Sequence, residues 1–355
     1  MKHNFGAGPC ILPQEVFKQA SQGVLNFNDT GLSILEISHR APEFVAVMDE
    51  AISLVKELLN VPEGYSIIFL QGGASLQFTM VAMNLLSEGK KASYLDTGVW
   101  SKKAITEAKL FGEIEVVASS KDKNYSYIPK EYQVAAGSEY FHFTSNNTIF
   151  GTEFHSFPKV NAPLVCDMSS DIFSKVINVA DFDLIYAGAQ KNIGPAGATL
   201  VIVKDSILGK TGRAIPSMLD YQKQIEAESM YNTPPVFSVF VSMLNLRWLK
   251  SKGGVAEIGK ENIAKAKALY IEIDRNPLFK GSVAIEDRSN MSVCFVMENP
   301  ELEKPFLKYT EEKGCIGIKG HRSSGGFRAS LYNALPITSV HVLVESMQEF
   351  AEKNA

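Results

Sequence analysis

Seven short apolar runs, each bounded by Gly, Asn or Asp, constrain this chain more than any other feature. They lie at 67–70, 92–95, 114–118, 140–144, 164–167, 184–187 and 199–203. Each reads as a strand, and segments of helical period at 76–86 and 102–111 separate the early ones. Continuous apolar strands joined by helices imply a mainly parallel sheet covered on both faces, because a strand with one wet face would alternate. The expected class is α/β with a seven-stranded sheet covered by helices. Only residues 188–198, rich in Gly and Pro, separate the last two runs. That is too few for a helical crossover, so the final strand is expected antiparallel to its neighbour.

Helical periodicity recurs outside the sheet. Between 42 and 60, Phe44, Met48, Ala51, Ile52, Val55, Leu58 and Leu59 fall on one face of a helix that Pro62 ends. A helix at 237–250 stops at Gly253-Gly254, and another spans 255–274. Beyond it, strand-like stretches at 283–285, 291–296 and 327–331 alternate with helices at 301–313 and 337–352, the pattern of a small α+β unit. The 355 residues exceed what one hydrophobic core usually organises. We expect a large domain over 1–254 and a small C-terminal one over 255–355, with the N-terminal segment packing near the small domain.

Charge and cysteine usage exclude several classes. Lys and Arg number 35 against 39 Asp and Glu, a net charge of −4 with no basic run for a polyanion to lie against, so nucleic acid is not an expected partner. Cys10, Cys166, Cys294 and Cys315 are too dispersed for a disulfide framework or a metal cage; they read as reduced thiols, and no metal is expected. No apolar stretch has membrane-spanning length and the first residues lack a secretory pattern, so the expectation is a cytoplasmic protein with no membrane partner.

In parallel α/β sheets, ligands bind beyond the carboxyl ends of the strands. After the first run, Gln71-Gly72-Gly73-Ala74-Ser75 opens a helix, and its small residues let backbone N–H groups approach an anion at the helix's positive end. The second run is followed by Asp96-Thr97-Gly98-Val99-Trp100-Ser101, which sets a tryptophan in a polar turn where a flat ligand can stack. The fourth ends in Thr144-Ser145-Asn146-Asn147-Thr148, a cluster of hydroxyls and amides. The fifth ends in Asp167, whose carboxylate, once buried, needs a cationic or strongly donating partner. The sixth leads to Gly188-Ala189-Gln190-Lys191-Asn192, where an apolar turn desolvates a lysine and favours the neutral amine that condenses with an aldehyde. An anion seat, a stacking plate, a carboxylate for a ring nitrogen and an amine for a Schiff base are together what pyridoxal phosphate requires.

Further segments join these: Asn4-Phe5-Gly6-Ala7-Gly8-Pro9, Ser38-His39-Arg40, Tyr231-Asn232-Thr233-Pro234-Pro235 and Gly320-His321-Arg322-Ser323-Ser324-Gly325-Gly326-Phe327-Arg328. On them the chain resembles, over nearly its whole length, the phosphoserine aminotransferase family of class-V pyridoxal-phosphate enzymes with the aspartate-aminotransferase fold (fold type I). The resemblance implies that Lys191 is the Schiff-base lysine, Asp167 the partner of the pyridinium nitrogen, Trp100 the ring stacker and Thr148 a contact to the phenolic oxygen. It implies that Ala74, Ser75 and Gln190 hold the phosphate, and that Asn232 and Thr233 reach the phosphate of a neighbouring subunit, making a homodimer with composite sites. Ser75 stands where some members carry an arginine, which leaves the loop its backbone donors. Arg328 would grip the substrate's α-carboxylate, with His39, Arg40, His321 and Arg322 around a distal anion. Guanidinium forks suit both anionic ends.

The implied reaction moves the amino group of glutamate to 3-phosphohydroxypyruvate, giving O-phosphoserine and 2-oxoglutarate for serine biosynthesis; 4-phosphohydroxythreonine, of pyridoxine biosynthesis, stays open as a second product. The alternatives are another enzyme of this fold, such as alanine:glyoxylate aminotransferase or a cysteine desulfurase, and a non-catalytic cofactor- or nucleotide-binding protein. A desulfurase typically carries a histidine over the ring, where this chain has Trp100.

Overall fold

In the computed structural model, which describes residues 2–354, all seven apolar runs are strands of one sheet. Ahead of it lie a short strand β1 (His3–Asn4) and helices α1 (Gln14–Leu25) and α2 (Pro42–Leu58). The sheet region follows as β2 (Tyr65–Leu70), α3 (Gly73–Leu85), β3 (Lys91–Asp96), α4 (Val99–Ala108), β4 (Glu113–Ser119), β5 (Ser138–Thr144), β6 (Leu164–Asp167), β7 (Leu184–Gly188) and β8 (Thr199–Lys204). Helices α5 (Tyr221–Glu226), α6 (Val236–Ser251) and α7 (Gly254–Arg275) then lead to β9 (Phe279–Gly281), β10 (Ser292–Met297), α8 (Glu303–Glu312), β11 (Cys315–Ile316), β12 (Phe327–Ser330) and α9 (Ile337–Asn354).

The strand order is β2-β8-β7-β6-β5-β3-β4. All pairs are parallel except those of β8, which runs antiparallel to both β7 and β2, as the short connection after β7 requires. Strands β6 and β7 are buried along their whole length because helices cover both faces. One cover packs Phe44, Met48, Val239 and Leu246 of α2 and α6, the other Phe78, Val81 and Ala104 of α3 and α4. Each large apolar side chain so buried contributes about 1.5–3 kcal/mol. Strand β4 is the edge, and its exposed Glu113 and Glu115 discourage further pairing.

The C-terminal part has its own antiparallel sheet, β12-β10-β9, and its own core of Phe295, Phe306, Phe327, Leu343 and Met347. Strand β1 pairs parallel with β11, and Ser330 donates its amide to the Phe5 carbonyl at 3.1 Å, so the first residues are built into this part. Two readings of the sequence need correction. Residues 283–285 are not a strand: β9 ends at Gly281, and the chain then leaves the sheet to bond the 126–130 loop, through Ala284 to the Ser126 carbonyl and through the Asp287 carboxylate, which takes the Ile128 amide and pairs with Lys130. Ile285, the apolar residue behind that reading, is 76% exposed. Trp100 does not lie in a turn but in the first turn of α4, because Ser101 bonds back to the amides of Thr97 and Gly98 and starts the helix early. Among the described residues no helix is long and apolar enough to cross a membrane, no acidic, histidine or cysteine group is arranged to hold a metal, and the four cysteines are free.

Candidate active site

Strand register brings the chemistry together. Thr144 stands beside Asp167, and Asp167 beside Tyr186, so β5 and β6 end level, β7 runs two residues further, and their following turns meet the start of α3 and α4 at one edge. There a cleft of about 120 Å³ is lined by Ala74, Ser75, Trp100, Thr148, Asp167, Gln190 and Lys191. A larger hollow of about 310 Å³ lies between α1, α2 and α6, but its one arginine, Arg247, is already paired with Glu50.

Lys191 sits on the tight connection between β7 and β8, which closes through Ala189 N–H to the Ala198 carbonyl at 3.0 Å and Gly194 N–H to the Ala189 carbonyl at 2.7 Å. Its Nζ donates to Thr148 Oγ1 at 2.8 Å. Part of the side chain stays open to the cleft, yet protein surrounds the amine closely enough that burial brings its pKa down to about 8; Asp167 opposes that shift and Arg328 reinforces it. Asp167 is 4% exposed, and burial pushes its carboxyl above the ordinary range although Oδ1 takes the Ser169 amide at 2.9 Å. Burial thus disfavours the charged form of both groups. Lys265 is depressed further, to about 7, but its Nζ is spent on the carbonyls of Leu331, Tyr332 and Leu335 and faces no cleft.

Gly72 turns the chain from β2 into α3 at φ +87°, a conformation that favours glycine. No side chain caps α3 and its first turn holds no acid, so its positive end is open where Gly73, Ala74 and Ser75 line the cleft. Trp100 is half-buried, and its indole Nε1 has no acceptor; Thr144 Oγ1, also on the cleft, is likewise buried without a partner. Gln190 lines the cleft opposite them.

Arg328 on β12 donates from Nη1 to the Thr148 carbonyl at 3.1 Å, while its buried Nε has no partner. Thr148 thus holds Lys191 by its hydroxyl and Arg328 by its carbonyl. His321 lies in the same field: burial, then Arg328, Arg322 and Lys103, keep its imidazole below the usual value. Lys103, whose Nζ lies 4.6 Å from the centre of the Trp100 ring, escaped the sequence reading, although its place one helical turn after Trp100 is a usable signal. Phe78, Asn146, Ser169 and Ser170 also line the cleft and were not singled out, though Asn146 belongs to the hydroxyl and amide cluster after β5. His39, Arg40, Asn232, Thr233 and Arg322 do not line the cleft of their own chain; all but His39 are exposed, His39 Nε2 is buried without a partner, and the Thr233 carbonyl accepts from Gln71 Nε2 at 2.9 Å.

Known proteins resemble this chain in sequence and fold. The class-V aminotransferase family profile matches residues 3–343. A phosphoserine aminotransferase of Flavobacterium johnsoniae is 62% identical over 353 residues, 99% of either chain. The chain belongs to the phosphoserine aminotransferase family. A solved phosphoserine aminotransferase, studied for radiation damage to its Schiff base, superposes with a TM-score of 0.97 at 48% identity over 100% of both chains. Another, from Trichomonas vaginalis with pyridoxal phosphate bound, gives 0.94 at 35% identity, covering 98% of this chain and 100% of that one. For a phosphoserine aminotransferase the cleft residues fit the cofactor: the unpartnered donors Trp100 Nε1 and Thr144 Oγ1, the uncapped α3 and the depressed amine of Lys191 await a ligand with acceptors, an anion and an electrophilic carbon.

Proposed function

We propose that the chain transfers the amino group of L-glutamate to 3-phosphohydroxypyruvate, giving O-phospho-L-serine and 2-oxoglutarate, with pyridoxal phosphate in the cleft. The observation that carries this reading is Lys191: an amine at a sheet edge whose pKa burial lowers to about 8, bonded to Thr148, which also holds Arg328. The cofactor supplies an electron sink for the charge that develops at the substrate's Cα.

Lys191 would hold the cofactor's carbonyl carbon, and its freed Nζ carries the proton at Cα. Asp167, a buried carboxylate short of a cation, suits a protonated ring nitrogen. Ala74, Ser75 and Gln190 hold the phosphate at the positive end of α3, Trp100 covers the ring, and Thr148 contacts its phenolic oxygen. Arg328 binds the α-carboxylate through donors its own chain leaves free. His39, Arg40, His321 and Arg322 read the distal anion. Asn232 and Thr233, exposed on their loop, reach a partner's phosphate, so the working form is a homodimer of two-domain chains, divided after residue 254, in the cytoplasm.

The test is an assay with glutamate and 3-phosphohydroxypyruvate, quantifying both products. O-phosphoserine and 2-oxoglutarate should form in equal amounts, with kcat/KM for the phospho-oxo acid exceeding that for pyruvate or glyoxylate by on the order of 10²-fold, since the unphosphorylated acids leave the distal cations unpaired. Preference for glyoxylate, or release of sulfur from cysteine, would overturn the substrate assignment.

A further inference from the structure

Behind the cleft, three asparagines from three parts of the chain grip three consecutive carbonyls. Asn192, next to Lys191, donates from Nδ2 to the Ile172 carbonyl at 3.1 Å; Asn333, three residues past β12, donates to Phe173 at 2.9 Å; Asn262, on α7, donates to Ser174 at 3.0 Å. All three are buried, and they are joined to one another. Asn262 Nδ2 also donates to Asn333 Oδ1 at 2.9 Å, and the Asn333 backbone amide donates to Asn192 Oδ1 at 3.0 Å. From α6, Asn245 donates to the carbonyls of Asn192 and Ile193 at 2.9 and 3.0 Å.

The gripped turn is a strained one. Phe173, 1% exposed, has φ +60°, in the left-handed region that a bulky residue avoids. Such a conformation persists only where its surroundings over-determine it, and it marks functional sites more than others. This turn continues directly from Asp167. The segment that carries Asn333 continues directly from β12 and Arg328, and Lys265 pins it to α7 through three more carbonyls. The third participant adjoins Lys191. A carboxamide both donates and accepts in fixed directions, so it joins two segments with an orientation that apolar packing does not impose.

We propose that Asn192, Asn262 and Asn333 are positioning residues, a clamp that holds Lys191, Asp167 and Arg328 in mutual register by fastening residues 172–174 to the segments bearing the two cations. None of the three lines the cleft, so they act through the groups they hold. The inference rests on the reading of Lys191 as the residue that holds the cofactor. Loosening the clamp changes the distances from Lys191 to Asp167 and Arg328, the charges that set its protonation alongside burial.

The test titrates the visible absorbance band of the cofactor-loaded enzyme against pH and records Tm, for wild type, Asn192→Ala and Asn333→Ser. The control is Asn276→Ala, which removes a buried asparagine beyond the far end of α7 that donates to the Met347 carbonyl at 3.3 Å and accepts the Leu278 amide at 3.1 Å. Asn192→Ala and Asn333→Ser should move the midpoint of the band by about half a pH unit or more and lower kcat on the order of 10–10²-fold with little change in KM for glutamate. Asn276→Ala should lower Tm alone. Lower Tm in all three with an unmoved midpoint would overturn the clamp, as would an equal midpoint shift in the control. Asn192→Ser and Asn262→Ser repeat the comparison if alanine at 192 prevents folding. A wild-type enzyme with no visible band overturns the cofactor reading, and the clamp with it.

Discussion

Burial brings the pKa of two lysines of this chain well below the ordinary lysine value, and only one of them faces a cleft. Lys265, at about 7, is the more depressed, but three carbonyls occupy its Nζ; Lys191, at about 8, has a single hydroxyl partner and open space beside it. Reactivity follows from access as well as from protonation. Below about pH 8 most of the Lys191 amine is protonated, so the reactive fraction should rise about tenfold per unit up to that point and level off above it. Stopped-flow uptake of pyridoxal phosphate by the apoenzyme should therefore plateau near pH 8; a rate that keeps climbing toward the ordinary lysine value of 10.5 would contradict the desolvated amine. At this scale Lys191 and Asp167 were legible because a lysine in a Gly-rich turn and an acid closing an apolar strand are both locally out of place. Lys103 is signalled only by its place one helical turn after Trp100, and the three clamp asparagines not at all, because nothing in a scattered asparagine indicates what it will meet.

Among the elements, α3 carries the most consequence per residue, since its open N-terminus depends on one glycine. A Cβ on Gly72 would come within 2.5 Å of the Leu76 side chain and would hold an L-residue at φ +87°. Gly72→Ala should cost ~1–2 kcal/mol of stability in urea unfolding and weaken cofactor affinity together with it, because the same turn presents Ala74 and Ser75. A variant with unchanged cofactor affinity would remove α3 from the anion seat. Six of the sheet strands were readable because burial on both faces makes them continuously apolar, the edge strand β4 by its β-branched Ile114, Val116 and Val117, and β8's reversal followed from connection length. Helix α1 was not read: its buried Val16, Ala20 and Gly23 share one face, but the face is short and two of its residues are small, while Phe17 and Leu25 lie exposed. The two-residue strands β1 and β11 exist through their pairing with each other, which no local pattern announces.

For the molecule as a whole, the residues that do not reach the cleft of their own chain matter most. Asn232, Thr233 and Arg40 are exposed and off the cleft of their own chain, so the roles proposed for them require a second chain to bring them to a cleft. Sedimentation at assay concentration should give an active homodimer, and an active monomer would contradict composite sites. Arg40→Ala should lower kcat/KM for phosphoserine more than for glutamate, by a difference of about 1 kcal/mol, because phosphate carries more charge and more acceptor oxygens than a carboxylate. Equal losses for phosphoserine, glutamate and alanine would remove Arg40 from the distal-anion site. The central claim is narrower than either of these, namely that Lys191 is the residue that holds the cofactor. Borohydride reduction of the loaded enzyme followed by peptide mass mapping tests it most directly. The account predicts loss of the visible band and a single modified residue, Lys191. Modification of Lys265 or any other lysine in its place, or a band that vanishes without a labelled lysine, would contradict it.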